Sequence, residues 1–293
     1  VISYHLEVEP PSAKVTHKKE VRIRTKSSVA DITCEAILVF VMRLCYATDM
    51  KTHAWNNEQV ASAATPNYSK EYVVKPNVLK FLGPVHGKKV LELGCGNGYW
   101  LRLLTDKGAD CFGVDRAETQ LAVARQKNSK KNPITYTSGD ISTTSPYADQ
   151  SFDIVLLLYV LLEVDRLTKV KKIFKEATRL LKPGGVLIVA DMNPYAPAIA
   201  KYKQDSHIIV ADTFEYADSG ATFEVVSRRI DGKETRYTDH HWTLEDILQS
   251  ICDAGLKITA YKECRPTEAV AKKHPYLAQY VRGLGRLLVK ATK

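Results

Sequence analysis

What the chain lacks narrows its function first. No stretch approaches the roughly 20 predominantly apolar residues that a membrane span requires, and the run Ala36–Met42 is stopped by Arg43. No charged start, apolar middle and small-residue cleavage site mark a secretory signal. The six cysteines (Cys34, Cys45, Cys95, Cys111, Cys252 and Cys264) contain no CxxC pair. Neither a zinc site nor a disulfide framework is indicated. We therefore expect no membrane, no metal and a reduced, cytoplasmic-type compartment. Internal repeats and low-complexity tracts are absent as well.

Acidic residues are in deficit: 33 Asp and Glu face 42 Lys and Arg, giving a formal net charge of +9. The excess is local. One source is Arg166, Lys169, Lys171, Lys172, Lys175, Arg179 and Lys182. The other is a tail with Lys257, Lys262, Arg265, Lys272, Lys273, Arg282, Arg286, Lys290 and Lys293. No aromatic-interleaved basic motif accompanies them. A solvated helix face plus a basic tail is the reading we favour over a nucleic-acid surface.

From about Lys88 onward, short apolar strands alternate with helical stretches. Strands are expected at Lys89–Leu93, Cys111–Val114, Ile134–Thr137, Phe152–Leu158 and Val186–Ala190. Helices are expected at Tyr99–Lys107, Glu118–Lys127 and Arg166–Leu181. In the last, Val170, Ile173, Phe174, Ala177, Leu180 and Leu181 recur at helical spacing. Lys182-Pro183-Gly184-Gly185 reads as a sharp break. This alternation implies right-handed crossovers and a mostly parallel sheet. Thr222–Ile230 and Lys233–His241 flank Asp231-Gly232, a signal for an antiparallel hairpin. Thr243 and Asp246 form a capping-box pattern at the start of a helix that Gly255 ends. Leu256–Tyr261 and Leu287–Ala291 close the chain as strands. Residues 1–49 look different and read as an N-terminal extension to a domain of residues 50–293. Within the extension, Ile32–Tyr46 fits a helix or a strand equally.

The most informative stretch is Val90-Leu91-Glu92-Leu93-Gly94-Cys95-Gly96-Asn97-Gly98, where a strand turns into a helix. Three glycines at alternate positions permit a tight turn and let a ligand lie on bare backbone. A glycine-rich turn alone could equally be the phosphate turn of a dinucleotide fold. The spacing here is GxGxG rather than GxGxxG, and Glu92 precedes the first glycine by two places. A carboxylate there suits a cationic ligand better than a pyrophosphate. Asp115 ends the second strand and can accept hydrogen bonds from both hydroxyls of a ribose. Asp140 follows the third strand and could accept from an adenine amino group, with Ile141 against the ring. Three acids at the carboxyl ends of successive strands lie along the edge where open α/β sheets bind ligands.

The run VLELGCGNG, followed by GVD, GDI, FDIVLLL and LLKPGGVLIV, resembles the class I S-adenosylmethionine-dependent methyltransferases from about Tyr68 to the C-terminus. The resemblance implies a Rossmann-like, seven-stranded, mostly parallel sheet with helices on both faces, the last strand antiparallel and a hairpin insertion added. It implies S-adenosylmethionine as cofactor. Glu92, Gly94, Cys95, Gly96 and Asn97 would lie around its methionine part, Asp115 with Arg116 at the ribose, and Asp140 with Ile141 at the adenine. Leu157, Leu158 and Tyr159 would lie near the sulfonium. Tyr68 and Tyr72 resemble tyrosines that close over the cofactor in relatives, although core packing explains them equally well.

Methyl transfer from a sulfonium is an in-line displacement, so positioning supplies much of the rate, and a base is needed only if the acceptor must lose a proton. The (Asn/Asp)-Pro-Pro-(Tyr/Phe) motif of amino-directed enzymes is missing after the fourth strand, and no Pro-Cys pair is present. The long segment 192–242 is the expected acceptor-side insertion. Its candidates are Tyr195, His207, Tyr216, His240, His241 and Trp242. Adjacent strand residues face opposite ways, so at most one of His240 and His241 can reach the site directly. Tyr159 and Glu163 complete the candidate catalytic set. The reading is a small-molecule methyltransferase; the alternatives are an RNA or protein methyltransferase and a non-catalytic cofactor-binding protein.

Overall fold

The computed structural model describes residues 21–24, 29–32, 67–203, 207–228, 230, 232 and 234–293. The chain divides into two compact units, Val1–His53 and Ala54–Lys293. In the first, β1 (Val21–Arg24) and β2 (Val29–Ile32) pair antiparallel. The rest of the expected extension, including nearly all of Ile32–Tyr46, lies outside the described residues.

Within the second unit a π-helical stretch, Lys70–Val74, runs into α1 (Lys75–Leu82). There follow β3 (Lys89–Leu93), α2 (Tyr99–Thr105), β4 (Asp110–Asp115), α3 (Glu118–Gln126), β5 (Thr135–Ser138) and β6 (Phe152–Leu158). Next come α4 (Leu167–Leu180), β7 (Leu181–Asp191), α5 (Ala196–Lys203), β8 (Ile208–Ile209), β9 (Thr222–Arg228) and β10 (Glu234–His240). The chain closes with α6 (Leu244–Asp253), β11 (Lys257–Cys264), α7 (Glu268–Lys273) and β12 (Arg286–Thr292).

Seven strands form one sheet in the order β11-β12-β7-β6-β3-β4-β5. Only β12 runs against the others, pairing antiparallel with both β7 and β11. The central strands β3, β6 and the second half of β7 read as nearly unbroken apolar runs because both faces are covered. Leu91, Leu93, Val155 and Leu157 pack with Phe174 of α4 and Ile247 of α6 on one face. Their neighbours Val90, Leu156 and Leu158 pack with Val78 of α1 and Leu101 of α2 on the other. The period-2 alternation of strand side chains thus feeds two cores from the same strands. Helix α4 shows the complementary period: Val170, Ile173, Phe174, Ala177 and Leu180 are buried while its lysines stay outside.

The Lys182–Gly185 stretch does not separate α4 from β7. Leu181 already pairs with Phe152 and Val186 with Ile154, so the four residues between them bulge out of a strand that is already under way. The bulge is anchored at its tip, where Gly184 N donates to Lys293 O and Lys293 N donates to Gly185 O.

Between β7 and α6 the chain leaves the main sheet and builds a second, three-stranded sheet in the order β10-β9-β8. The expected hairpin is its β9–β10 pair, from His240↔Thr222 to Glu234↔Arg228. Helix α5 and strand β8 were not anticipated. The chain re-enters the main fold at α6 through a full capping box: Asp246 N donates to Thr243 Oγ1 at 3.0 Å, and Thr243 N donates to Asp246 Oδ2 at 2.9 Å. Replacing Thr243 by Ala removes one of these bonds and should cost about 1 kcal/mol. Thermal unfolding should show this as a fall in Tm of roughly 2–4 °C.

Candidate functional site

The turn after β3 is fixed by its neighbour strand. Gly94 N and Cys95 N both donate to Val114 O, at 2.7 and 3.0 Å. Gly96 N donates to Asp115 Oδ2 at 2.7 Å, and Ala117 N donates to Oδ1 at 2.8 Å. Gly94 and Gly98 have positive φ, 78° and 73°. A Cβ would stand 2.4 Å from Val160 Cγ2 at Gly94 and 2.1 Å from Tyr136 Oη at Gly98. No side chain fits at either point, because Val160 and Tyr136 pack directly on the backbone; at Gly96 the nearest atom to a Cβ would be 3.8 Å away, which leaves that backbone open.

Glu92 is 1% exposed, and its Oε2 has no hydrogen-bond partner. Burial pushes its carboxyl up; the charge of Lys70 pulls it back and that of Asp115 adds to the rise. Burial likewise pushes the Lys70 ammonium down. Lys70 N is held by Asn67 Oδ1 at 2.7 Å, and its Nζ stands 4.6 Å from the Tyr99 ring centre. The Asp115 carboxyl is also raised by burial, against the two backbone N–H bonds that favour its charge. A buried carboxylate without a partner costs several kcal/mol unless a cation or donor reaches it. Glu92 therefore fits a ligand that brings an ammonium to the head of β3.

The other expected cofactor residues differ in placement. Cys95 and Asn97 are buried within the turn, and burial pushes the Cys95 thiol well above its ordinary range. Asp140 lies exposed at the same edge and accepts from Ser142 N at 2.8 Å. Ile141 packs on the core below, and Arg116 is exposed. Leu157 is fully buried among Val170, Ile173 and Phe174, so its side chain faces the core rather than the edge. Tyr68 joins an aromatic cluster with Tyr72, His274 and Tyr276; the Tyr72 and His274 rings stack at 3.8 Å.

Beyond the heads of β6 and β7 lies a cavity of about 330 Å³. Its wall combines Lys70 and Tyr159 from the edge with Glu163, with His207, Val225, Tyr237 and Asp239 from the second sheet and its approach, and with Tyr276, Tyr280 and Arg286 from the last part of the chain. Tyr159 holds a left-handed backbone (φ 60°), a conformation that costs a non-glycine residue free energy. Its N–H donates to Ala190 O at 2.7 Å. Burial pushes its phenol up to about 12, so it stays protonated and donates. Asp239 is 1% exposed and its Oδ2 has no partner. Burial, then the charges of Glu163 and Asp191, push its carboxyl up to about 9.

The two histidines do not line this cavity. His240 Nδ1 lies 3.3 Å from Leu162 O, and the buried His241 donates from Nε2 to Tyr216 O at 2.7 Å. Burial holds the His241 imidazole below its usual range. His240 ties the insertion to the segment after β6, and His241 ties two parts of the insertion to each other. Trp242 is likewise structural, donating to Leu161 O at 2.8 Å. Tyr195 and Tyr216 stack on each other at 4.5 Å away from the wall. Of the insertion's aromatic and histidine candidates, only His207 reaches the cavity. Sequence reasoning missed Lys70, Tyr237, Asp239 and Arg286. Tyr237 and Asp239 share a strand face by their spacing of two, a signal that the adjacent histidines overshadowed.

Residues 91–189 match a protein family described as a methyltransferase domain. A demethylmenaquinone methyltransferase of Tropheryma whipplei is 34% identical over 116 residues, covering 39% of this chain and 46% of that protein. A ubiquinone biosynthesis O-methyltransferase of Idiomarina loihiensis is 36% identical over 108 residues, covering 36% and 43%. The chain thus matches less than half the length of these curated relatives. Among solved structures, an S-adenosylmethionine dependent methyltransferase from Mesorhizobium loti has the same fold, with a TM-score of 0.58 at 24% identity; the match covers 74% of this chain and 96% of that one. Residues 91–189 thus match the methyltransferase-domain family, and the sheet order described above is the fold of the Mesorhizobium loti enzyme.

The Asp239 carboxyl gives a prediction for stability. Its folded pKa lies above the ordinary 3.8, so the folded state binds the extra proton. The stabilising effect of that proton is lost as pH rises from about 4 towards 9. Asp239→Asn should therefore be more stable than the native chain by on the order of 1–3 kcal/mol at pH 8, with the gap closing near pH 4. Denaturant unfolding at the two pH values measures it; a gap independent of pH would contradict the assignment.

Proposed function

We propose that this chain is an S-adenosylmethionine-dependent methyltransferase whose acceptor is a small molecule. The observation that carries the reading is the juxtaposition of the Glu92–Gly98 turn with the 330 Å³ cavity, a volume within the range of small-ligand sites. Lys70, on the cavity wall, has its Nζ 4.6 Å from the Tyr99 ring and 5.8 Å from the Trp100 ring at the start of the helix that follows the turn, which sets the two regions side by side. The quinone-directed names of the relatives point to the same acceptor size.

Bound at the edge, the cofactor supplies an electrophilic methyl on a sulfonium. The chain's own residues would do the rest. Glu92 accepts from the ammonium of the methionine part, Asp115 orients the ribose, and Asp140 with Ile141 receives the adenine. Asp115 can do so because its oxygens are already held by Gly96 N and Ala117 N. On the acceptor side, Tyr159 is a fixed donor at the head of β6. Glu163 and Asp239 are the wall carboxyls able to exchange a proton with an acceptor hydroxyl or amine. The second sheet excludes water from one side of the reacting atoms, which strengthens these interactions. His240 and His241 would act only by holding that sheet in place.

Calorimetry tests the cofactor assignment. Asp115→Ala and Glu92→Gln should each weaken S-adenosylmethionine binding by about 1–3 kcal/mol, the scale for stranding a buried polar partner. Unchanged affinity in both variants, or a preference of the native chain for NAD, would overturn the reading. Formation of S-adenosylhomocysteine with an RNA or protein acceptor, but with no small molecule, would overturn the acceptor class alone.

A further inference from the structure

Arg286 opens β12, and the antiparallel direction of that strand puts its first residue at the same sheet edge as the heads of β6 and β7. The side chain enters the cavity wall. There its Nε donates to Ser69 Oγ at 3.1 Å, and the guanidinium carbon stands 5.7 Å from the Tyr280 ring centre. These are the only partners it has among the described residues. Arginine carries five N–H donors in a planar fork and stays charged at any ordinary pH. The Nη groups are therefore left with donors and no acceptor. Its neighbours in the wall are the phenols of Tyr159, Tyr237, Tyr276 and Tyr280, and among the described residues no carboxylate forms an ion pair with it.

Carboxyls are present in the same wall and could have neutralised Arg286, yet they do not. Asp239 is acted on by Glu163 and Asp191, not by Arg286, and its Oδ2 stays without a partner. The cavity therefore has a cationic station and a separate carboxyl station, each incomplete without a guest. A guanidinium whose Nη donors open on a cavity among aromatic rings, with no counter-charge, is a binding point for an anionic guest.

We infer that the acceptor is an organic carboxylate, anchored bidentate by the free Nη edge of Arg286, with its hydrophobic body against Tyr276, Tyr280 and Val225. The planar fork matches a carboxylate in geometry as well as charge. Anchored there, the acceptor's other end lies towards Tyr159 and Asp239, where a hydroxyl or amine can be held for transfer. The protonated Asp239 carboxyl supplies a donor at that end. The role of acceptor rests on the methyltransferase reading; the anion site does not.

The test uses the full chain saturated with S-adenosylhomocysteine. Benzoate, phenylacetate and indole-3-acetate are titrated calorimetrically, each beside its primary amide, with inorganic phosphate as a competitor. At least one acid should bind tenfold or more tighter than its amide, and phosphate should not displace it at equal concentration. Arg286→Gln should abolish the gap between acid and amide, and Arg286→Lys should keep part of it. Binding of S-adenosylhomocysteine serves as the folding control. If Arg286→Gln fails that control, the gap in the native chain and the Lys variant decide. The inference is overturned if no acid binds tighter than its amide, if phosphate competes equally, or if a folded Arg286→Gln keeps the gap. Failure of the native chain to bind S-adenosylhomocysteine would sink the methyltransferase reading; the acid–amide comparison, run without it, would still report on Arg286.

Discussion

The site depends on one small set of backbone bonds that tie the end of β3 to the end of β4. Val114 O receives two N–H groups from the glycine turn, and the carboxylate of the next residue, Asp115, receives a third from the same turn and a fourth from Ala117. Four donors that would otherwise need water are satisfied by one peptide and one side chain. The turn is thereby held in shape, and Asp115 is fixed at the same time. The edge proposed for the cofactor is placed by this arrangement. It could not form between non-adjacent strands, which is why β3 and β4 must be neighbours in the sheet.

The proposed acceptor side is organised by a different constraint. An insertion cannot bury a cavity unless its own polar backbone is satisfied. The second sheet does this with its β9–β10 ladder, one side-chain bond within the insertion and two that reach back to the main fold. His240 leans on Leu162 O, His241 on Tyr216 O, and Trp242 on Leu161 O. Three consecutive residues that look reactive are in this way spent on attachment. The residues that do face the cavity, Tyr237 and Asp239, lie just before them on the same strand.

The main sheet was legible in the sequence because its strands are apolar runs bounded by turns and its helices carry a clean 3.6-residue period, as α4 shows. All seven strands fall where the pattern put them, with boundaries moved by a few residues. The glycine turn, Glu92 and Asp115 were legible because local spacing determines their geometry. Lys182–Gly185 misled because Pro and Gly mark a bulge inside a strand as readily as a break between elements. Arg286 could not be read at all. In the sequence it is one of nine basic residues in a tail, and only the pairing of β12 with β11 and with the far more distant β7 turns it inward. Asp239 was hidden for a similar reason: its burial comes from the fold, not from its neighbours in sequence.

The reversed strand has a consequence for how such a protein can diversify. Because β12 begins at the ligand edge, the segment that leads into it, residues 265–285, runs along the cavity and contributes Tyr276, Tyr280 and Gly283 to its wall. This segment contains no strand of the main sheet, and none of the bonds that hold the glycine turn. Insertions, deletions or substitutions there remodel what the cavity admits and leave the β3–β4 junction as it is. The glycine turn and this stretch of cavity wall are thus encoded far apart in the chain, and selection can act on one without disturbing the other.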